Sequence, residues 1–393
     1  MDFSFKPEQE AYRQEIRDFI KKELPPGFEA GVGGHVESDE EWKIARSMTK
    51  KLAQKGWLNI AWPKEYGGQN NHMFSVILNE EMNYWCAPGL DFGGVGMLAP
   101  ALMAHGNEEQ KKEHLAKIAA GDVVWCQGWS EPEAGSDLPN LKTRAVEDGD
   151  DYVINGQKVW TSLAHHADWC FLLVKTDPEA QPKHRGITFI LVDFKTPGIT
   201  VSPLVTMSKE RSFSEVFYDN VRVPKKNVVG QVNGGFKVAM TAAGFERSGI
   251  YRIALALRNV DRLIEWAKRP QPDGTVPAKD PVVRQKLADL YIRGRIARLL
   301  AYRVAWLQTQ GAEPEWEASI ARVFGSEFQQ YAGHTGASLQ GMYGMLMRDS
   351  KWADPECNMA LQSILGIGAT IAAGTSEVQR NAIALRGLGL PRG

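Results

Sequence analysis

Two neighbouring strings, WCQGWSEPEAGSD (Trp125–Asp137) and INGQKVWTS (Ile154–Ser162), set the reading of this chain. The first is rich in glycine, proline and serine and reads as a loop rather than the interior of a strand or helix. It nevertheless carries two tryptophans and overlaps an uncharged run, Val123–Ser130, which is not the texture of a plain solvent-exposed loop. The second reads as a hairpin in which Tyr152-Val153-Ile154 and Val159-Trp160 flank an Asn155-Gly156 turn. Asn-Gly supplies the positive backbone angles of a two-residue turn matched to strand twist. Such a hairpin presents Trp160 and Ser162 from a rigid strand. A single tryptophan is ordinary β-core; two tryptophans beside two hydroxyls on adjoining elements suggest a shelf for a flat, polar-edged ring.

Working outward from these strings, residues from about Pro7 to Ala120 read as helices. Tyr12, Ile16, Phe19 and Ile20 share one face, and Trp42, Ile44, Ala45, Met48 and Leu52 recur with helical spacing. The texture changes at Gly121. To about Gly235 the runs are short, β-branched and punctuated by turns, without intervening crossover helices, which predicts an antiparallel sheet or barrel. GxGxxG is absent, GIGATI (Gly366–Ile371) being a near miss, and there is no GxxxxGK loop, so a nucleotide is not held in a Rossmann or P-loop manner. Long helical patterns return over Phe236–Lys268, Asp280–Gln310, Glu313–Tyr331 and Ser376–Leu385, the signature of a bundle. The divisions fall at 1–121, 122–235 and 236–393.

The 393 residues carry a formal net charge of -1, so no basic surplus points to nucleic acid or an anionic membrane surface. Cys86, Cys126, Cys170 and Cys357 are far apart, giving neither a zinc ribbon nor a disulfide framework, and fit a reducing compartment. The N-terminus lacks the apolar h-region of a signal peptide. The uncharged run Cys357–Ser376 is interrupted by Asn358, Gln362, Ser363 and Thr370 and reads as a buried helix and loop, not a membrane span. The expectation is a soluble cytoplasmic protein with no metal site.

Within Phe236–Lys268 the apolar stripe Ala239, Ala242, Ile250, Ile253, Leu257, Val260, Ile264 passes through position 246, which is Glu246. A carboxylate on that face is partly desolvated, which raises its pKa towards the range a general base needs. An ion pair with Arg247 or with an arginine of another helix accounts for it equally well. The last helix opens with Gly374-Thr375-Ser376-Glu377-Val378-Gln379, where Ser376 and Gln379 match a capping box and a helix N-terminus offers free N–H groups.

Taken together, these features resemble the acyl-CoA dehydrogenase family over essentially the whole chain. The resemblance is carried by WSEPEAGSD (Trp129–Asp137), NGQKVWTS (Asn155–Ser162), NGGFKVAM (Asn233–Met240), LQGMYG (Leu339–Gly344) and AGTSEVQR (Ala373–Arg380), in family order. It implies an α+β, mostly α fold: an N-terminal helical domain, a middle antiparallel β-domain and a C-terminal four-helix bundle. It implies FAD as cofactor, with Gln127, Trp129 and Ser130 lining the flavin, Trp160 covering one face and Ser162 near N5. Gln340 and Gly344 match a contact to the pyrophosphate or adenine half given from a neighbouring subunit. Thr375 and Glu377 match two further flavin-side contacts, and Ser136 a contact to the CoA portion.

The implied reaction is α,β-dehydrogenation of an acyl-CoA thioester, the α-proton passing to a carboxylate and the β-hydrogen as hydride to flavin N5. Electrons then pass to an electron-transferring flavoprotein. The glutamate that many members carry in a YEGT string is absent: that string is Ala372-Ala373-Gly374-Thr375, with Ala373 in the glutamate's place, although the backbone N–H there still serves to polarise the substrate carbonyl. Isovaleryl- and long-chain-type members place the base on the bundle helix just before an arginine, and Glu246-Arg247 matches that position, with Arg247 ordering the loop opposite. The RxxFG flavin string is also missing from Arg269–Val283; Arg269 and Gln285 are the residues that match its neighbourhood. The resemblance implies a homotetramer or dimer of dimers. Bacterial members with such losses, steroid-catabolic ones among them, form heterotetramers with incomplete FAD sites in one subunit type, so a partner-subunit role is one alternative. A flavin oxidase or monooxygenase on the same scaffold is another.

Overall fold

The computed structural model describes residues 4–30, 36, 38–244 and 248–391. In chain order the helices are α1 (Pro7–Glu23), α2 (Asp39–Gln54), α3 (His72–Tyr84), α4 (Ala99–His105), α5 (Glu108–Ala119), α6 (Gly235–Gly244), α7 (Ile250–Lys268), α8 (Pro281–Thr309), α9 (Trp316–Leu339), α10 (Met359–Ala369) and α11 (Ser376–Ala382). The strands are β1 (Trp125–Gly128), β2 (Arg144–Asp148), β3 (Asp151–Ser162), β4 (Trp169–Lys175), β5 (Ile187–Asp193), β6 (Ile199–Leu204) and β7 (Phe213–Pro224). Packing divides the chain into two compact units. One comprises Met1–Gly34, Asn71–Pro88 and Arg247–Gly393; the other comprises His35–Asn70 and Gly89–Glu246.

In the helical unit α7, α8, α9 and α10 pack in series, and α3 lies against α1, α7 and α8. Asp280 caps α8 by accepting from Val282 N at 2.7 Å, with Pro281 in the first turn where no amide is needed. The unit is keyed by a buried ionic hub. Glu80 on α3 receives Arg13 of α1 at 2.7 Å, Arg298 of α8 at 3.0 Å and the Tyr302 hydroxyl at 2.5 Å. Glu81, beside it, receives a bidentate pair of bonds from Arg17 at 2.7 and 3.0 Å. Burial alone would raise the Glu80 carboxyl, but hydrogen bonding and attraction from Arg298 and Arg13 hold it below the ordinary carboxylate range.

The second unit is built on a seven-stranded sheet of order β1-β4-β2-β3-β7-β6, with β5 also paired to β4. Most pairs are antiparallel, as the short punctuated runs predict, but β1 and β2 each pair parallel with β4. Cys126, Ala145, Tyr152, Ile154, Cys170, Leu172, Val216 and Tyr218 form one core face, while Phe171, Leu173, Phe189 and Leu191 of β4 and β5 turn the other way to join Leu98, Leu102 and Ile118. α6 packs on β5 and α4 within this unit. Gly235 opens α6 where an added Cβ would stand 2.2 Å from Phe189 N, so only glycine permits that approach.

Three sequence expectations are corrected. Trp125–Gly128 is not loop but strand β1, because its backbone completes the edge of β4. Asn155-Gly156 does not turn a hairpin; β3 runs straight through it, and the hairpin is β2–β3 around Gly149, whose φ is +61°. Gly156 is needed because a Cβ there would lie 2.5 Å from the Thr143 hydroxyl, and the irregularity in register at this point belongs to the β3–β7 pairing. The stretch Phe236–Lys268 is not one helix: α6 ends at Gly244, and α7 starts after Gly249, whose φ of +64° no helix continues through. Glu246 and Arg247 lie outside the described residues.

The hub predicts an acid-sensitive helical unit. Because the folded Glu80 carboxyl is depressed, its contribution is present above the ordinary carboxylate pKa and is lost as pH falls through the depressed folded value. Glu80→Gln leaves two arginines facing a neutral amide and should cost roughly 3–5 kcal/mol at neutral pH. Urea unfolding as a function of pH checks both points: the variant should be weaker at pH 7 and show a flatter acid limb.

Candidate active site

The shelf is made by an irregularity in β3. Lys158 pairs with Val216 and Thr161 with Ser214, so Val159 and Trp160 together oppose a single residue of β7. This bulge changes which side of the strand faces inward. Tyr152, Ile154 and Lys158 are buried before it, whereas Thr161 is buried after it and Trp160 and Ser162 both face out. Trp160 takes a left-handed backbone conformation, φ +60°, an arrangement costly for a bulky residue. Its indole is 59% exposed and is held edge-on by Phe213, centroids 5.8 Å apart.

The amide of Val159, turned away from β7 by the bulge, donates to Ser130 O at 2.9 Å. That bond joins the Trp129–Asp137 string to β3 beside Trp160. Lys158, at 0% exposure, donates to Trp129 O at 3.0 Å and to Glu131 Oε1 at 2.8 Å. Glu131 also accepts from Lys142 N at 2.6 Å and Thr143 N at 2.9 Å. Burial pulls the Lys158 ammonium down to about 8. Burial would raise Glu131, but Lys158 and the hydrogen bonds from Lys142 and Thr143 keep it below its ordinary value, so the pair is ionised at neutral pH.

Sequence reasoning placed two indoles on the shelf; the structure leaves one. Trp125 and Trp129 are buried, and Trp129 lies in the core with its ring edge to Phe171 and Phe189 at 6.1 and 6.5 Å. The Trp129 ring is therefore not part of the exposed shelf. Gln127 and Ser130 are half-buried, and Ser136 is exposed in the turn that follows. His166, next to the end of β3, stacks on Trp42 at 4.0 Å, and burial with His165 beside it lowers its pKa to about 4, so it is a neutral packing group. The Lys158–Glu131 pair escaped sequence reasoning, although a lysine in phase with Tyr152 and Ile154 is a visible signal of an inward charge.

In the helical unit the matched residues are largely committed within the chain. Arg269 pairs with Asp354 at 2.8 Å and Glu356 at 3.3 Å. Gln340 is buried and donates to Cys357 O at 2.8 Å, and Gly344 sits where a Cβ would be 2.0 Å from Ala337 O. Gln285 is exposed on α8. Thr375, not Ser376, caps α11, accepting from Val378 N at 3.2 Å. The Ser376–Gln379 box does not form because Ser376 lies inside the helix and is buried. Glu377 is exposed. Ala373 has φ +56° and Gly374 φ +86°. Arg322 of α9 braces this loop, donating to Ala369 O at 2.9 Å and to Ala372 O, while burial and the nearby Arg252 lower its pKa to about 10. Among the described residues no cluster of side chains is placed to hold a metal ion, and no helix is long and apolar enough to cross a membrane.

An exposed indole forced outward by a strained bulge, beside the Ser162 hydroxyl and a pinned Trp129–Ser130 backbone, fits a planar heteroaromatic group with hydrogen-bonding edges. The family models for the acyl-CoA dehydrogenase N-terminal, middle and C-terminal domains match residues 6–122, 126–221 and 233–388. The chain belongs to the acyl-CoA dehydrogenase family, and it is an FAD-dependent oxidoreductase that dehydrogenates acyl-CoA. It is similar to the Mycobacterium tuberculosis acyl-CoA dehydrogenases FadE26 (34% identical, covering 100% of this chain and 99% of that protein) and IpdE1 (34%, 98% of each). Among solved structures it is similar to the Tcur3481-Tcur3483 steroid ACAD (35% identical, TM-score 0.89) and to the ChsE4-ChsE5 complex from M. tuberculosis (34%, TM-score 0.89), in both cases over the full length of each chain.

The brace on the Ala372–Gly374 loop is testable apart from catalysis. Arg322→Met removes two bonds from a cation to backbone carbonyls, each of a kind worth roughly 1.5–3 kcal/mol when buried and less where solvent reaches it. Hydrogen exchange at Ala372 and Ser376, whose amides donate to Gly368 O and Thr370 O, should quicken by about tenfold while amides in the middle of α9 are unchanged.

Proposed function

We propose that this chain is the catalytic subunit of an acyl-CoA dehydrogenase acting on a bulky, polycyclic acyl thioester, with Glu246 as the base. The observation that carries the substrate class is the full-length similarity, at 35% identity, to a structure described as a steroid ACAD. Gln127, the Trp129–Ser130 backbone, Trp160 and Ser162 hold the flavin, and Thr375 and Glu377 are assigned to it as flavin-side contacts. When bound, FAD supplies the two-electron acceptor. Glu246 takes the α-proton, and Arg247 orders the segment facing it. The Ala373 N–H polarises the thioester carbonyl, so that negative charge developing on oxygen meets a fixed dipole. Ser136 contacts the CoA portion.

A heteromeric assembly is supported by the internal commitments of Arg269 and Gln340. Side chains already spent on Asp354, Glu356 and Cys357 O are poor candidates to hold the cofactor's phosphates for a neighbour. The two solved structures named above are each named for two different polypeptides. We therefore assign the pyrophosphate and adenine contacts to a partner subunit rather than to Arg269, Gln285 or Gln340 of a second copy, and an electron-transferring flavoprotein as the onward electron acceptor.

The test is an anaerobic visible spectrum of the assembled protein before and after addition of a steroid side-chain acyl-CoA. The wild type should show the flavin band and bleach. Glu246→Gln should keep the band and lose bleaching by at least about a thousandfold in rate, as expected for removal of a general base together with its positioning. Unchanged bleaching in the variant overturns the assignment of Glu246; bleaching only with straight-chain thioesters overturns the substrate class.

A further inference from the structure

Lys158 stands two residues before the exposed Trp160 and yet has no contact with solvent. A strand position facing a core ordinarily takes an apolar side chain, and burying an ammonium costs several kcal/mol before any partner is counted. Its nitrogen has two partners of different kinds. One is the carboxylate of Glu131 at 2.8 Å; the other is the backbone carbonyl of Trp129 at 3.0 Å. Glu131 is already bound by the amides of Lys142 and Thr143, so its own hydrogen bonding does not require the bond to Trp129.

The consequence lies in the consecutive residues 129 to 131. Trp129 O is fixed by the Lys158 side chain, Ser130 O by the Val159 amide, and the Glu131 carboxylate by three donors. Two of these ties come from successive residues of β3 at the bulge that turns Trp160 outward. The orientation of the Trp129–Ser130 peptide and the projection of Trp160 are thus set by the same two residues, Lys158 and Val159. The buried Trp129 ring supplies the third constraint, since it cannot rotate without leaving Phe171 and Phe189.

We propose that Lys158 is a positioning residue whose bond to Trp129 O presets the Trp129–Ser130 backbone for the flavin edge. The inference rests on the assignment of that backbone and Trp160 to FAD. A ledge fixed before the cofactor arrives need not be ordered on binding, so Lys158 contributes to FAD affinity without touching FAD.

The test uses the full chain, purified with whatever subunits accompany it, stripped of flavin and titrated with FAD. Three proteins are compared with wild type: the charge-balanced double variant Lys158→Met/Glu131→Gln, the single variant Glu131→Gln, and Trp160→Ala. The double variant should remain folded by circular dichroism, bind FAD about tenfold or more weakly, and shift the visible band of the bound flavin, the loss expected for one charge-assisted hydrogen bond. Glu131→Gln, which keeps the amine on Trp129 O, should bind within about threefold of wild type and leave the band in place. Trp160→Ala should weaken FAD binding. Wild-type affinity and band in the double variant, whatever its melting temperature, overturn the inference and leave Lys158 a counter-ion only. A Glu131→Gln protein that binds as weakly as the double variant, or tenfold more weakly than wild type where the double variant does not fold, overturns it as well. If Trp160→Ala also binds FAD as wild type, the flavin assignment falls and the inference falls with it; if Trp160→Ala alone is weakened, only the inference falls.

Discussion

The register change in β3 between Lys158 and Thr161 governs the sheet unit more than any single contact does. Up to Lys158 the strand sends even-numbered side chains inward; beyond it, odd-numbered ones. Without the extra residue Trp160 would point into a core already filled by Tyr218, Val216 and Cys170, and Thr161 would point out. The bulge therefore costs ladder hydrogen bonds and a left-handed tryptophan, and it produces an outward indole and an amide free to bind Ser130 O. Lys158 and Glu131 make that irregularity determinate: an ammonium and a carboxylate that must meet leave little freedom for the strand to slip by one residue. A buried pair of this kind adds little net stability over a well-packed apolar pair, whereas removing one partner alone leaves an uncompensated buried charge.

The helical unit solves a similar problem with a different device. Helices α1, α3 and α8 come from distant parts of the chain, and apolar packing alone tolerates sliding by a turn. Glu80 and Glu81 are adjacent on α3, so they point in different directions around the helix. Glu80 takes Arg13, Arg298 and Tyr302 while Glu81 takes Arg17 and Arg13, which fixes both the height and the rotation of α3 against its neighbours. The same arginine serving both carboxylates makes the hub a single cooperative unit rather than a set of separable surface bridges.

Much of the architecture was legible because periodicity is a strong signal. The Tyr12, Ile16, Phe19, Ile20 face does form the buried side of α1, and the change of texture at Gly121 marks the start of the strands. What failed were local signals whose meaning depends on a distant neighbour. Asn155-Gly156 looks like a turn, but the glycine is there because Thr143 approaches it, and nothing near it in sequence says so. Ser248-Gly249 was a breaker inside an apolar stripe that stayed in phase across it, so the stripe outweighed the glycine. At the site, their place on adjoining elements beside two hydroxyls put Trp129 and Trp160 together, whereas orientation separates them: one ring is core and the other surface. The inward phase of Lys158 was readable, but a charge at an apolar position acquires meaning only when its partner, Glu131, is known.

The loop after α10 shows how a backbone can be held in a strained, oriented conformation without any long side chain at its centre. Ala373 holds φ +56° and Gly374 φ +86°, and for alanine that conformation costs of order 1 kcal/mol. The loop is held at both ends: Ser376 N donates to Thr370 O at 3.0 Å, and Arg322 bridges Ala369 O and Ala372 O. One guanidinium nitrogen of Arg322 serves both carbonyls, its two N–H groups pointing to Ala369 O and Ala372 O. Its own burial, with the charge of Arg252 nearby, raises the cost of leaving those carbonyls. The strain at Ala373 is thus offset by bonds from a helix core rather than by a side chain at 373. In the reading proposed above, the direction of the Ala373 N–H is then independent of the residue type there, and the chemistry of proton removal is free to reside at position 246.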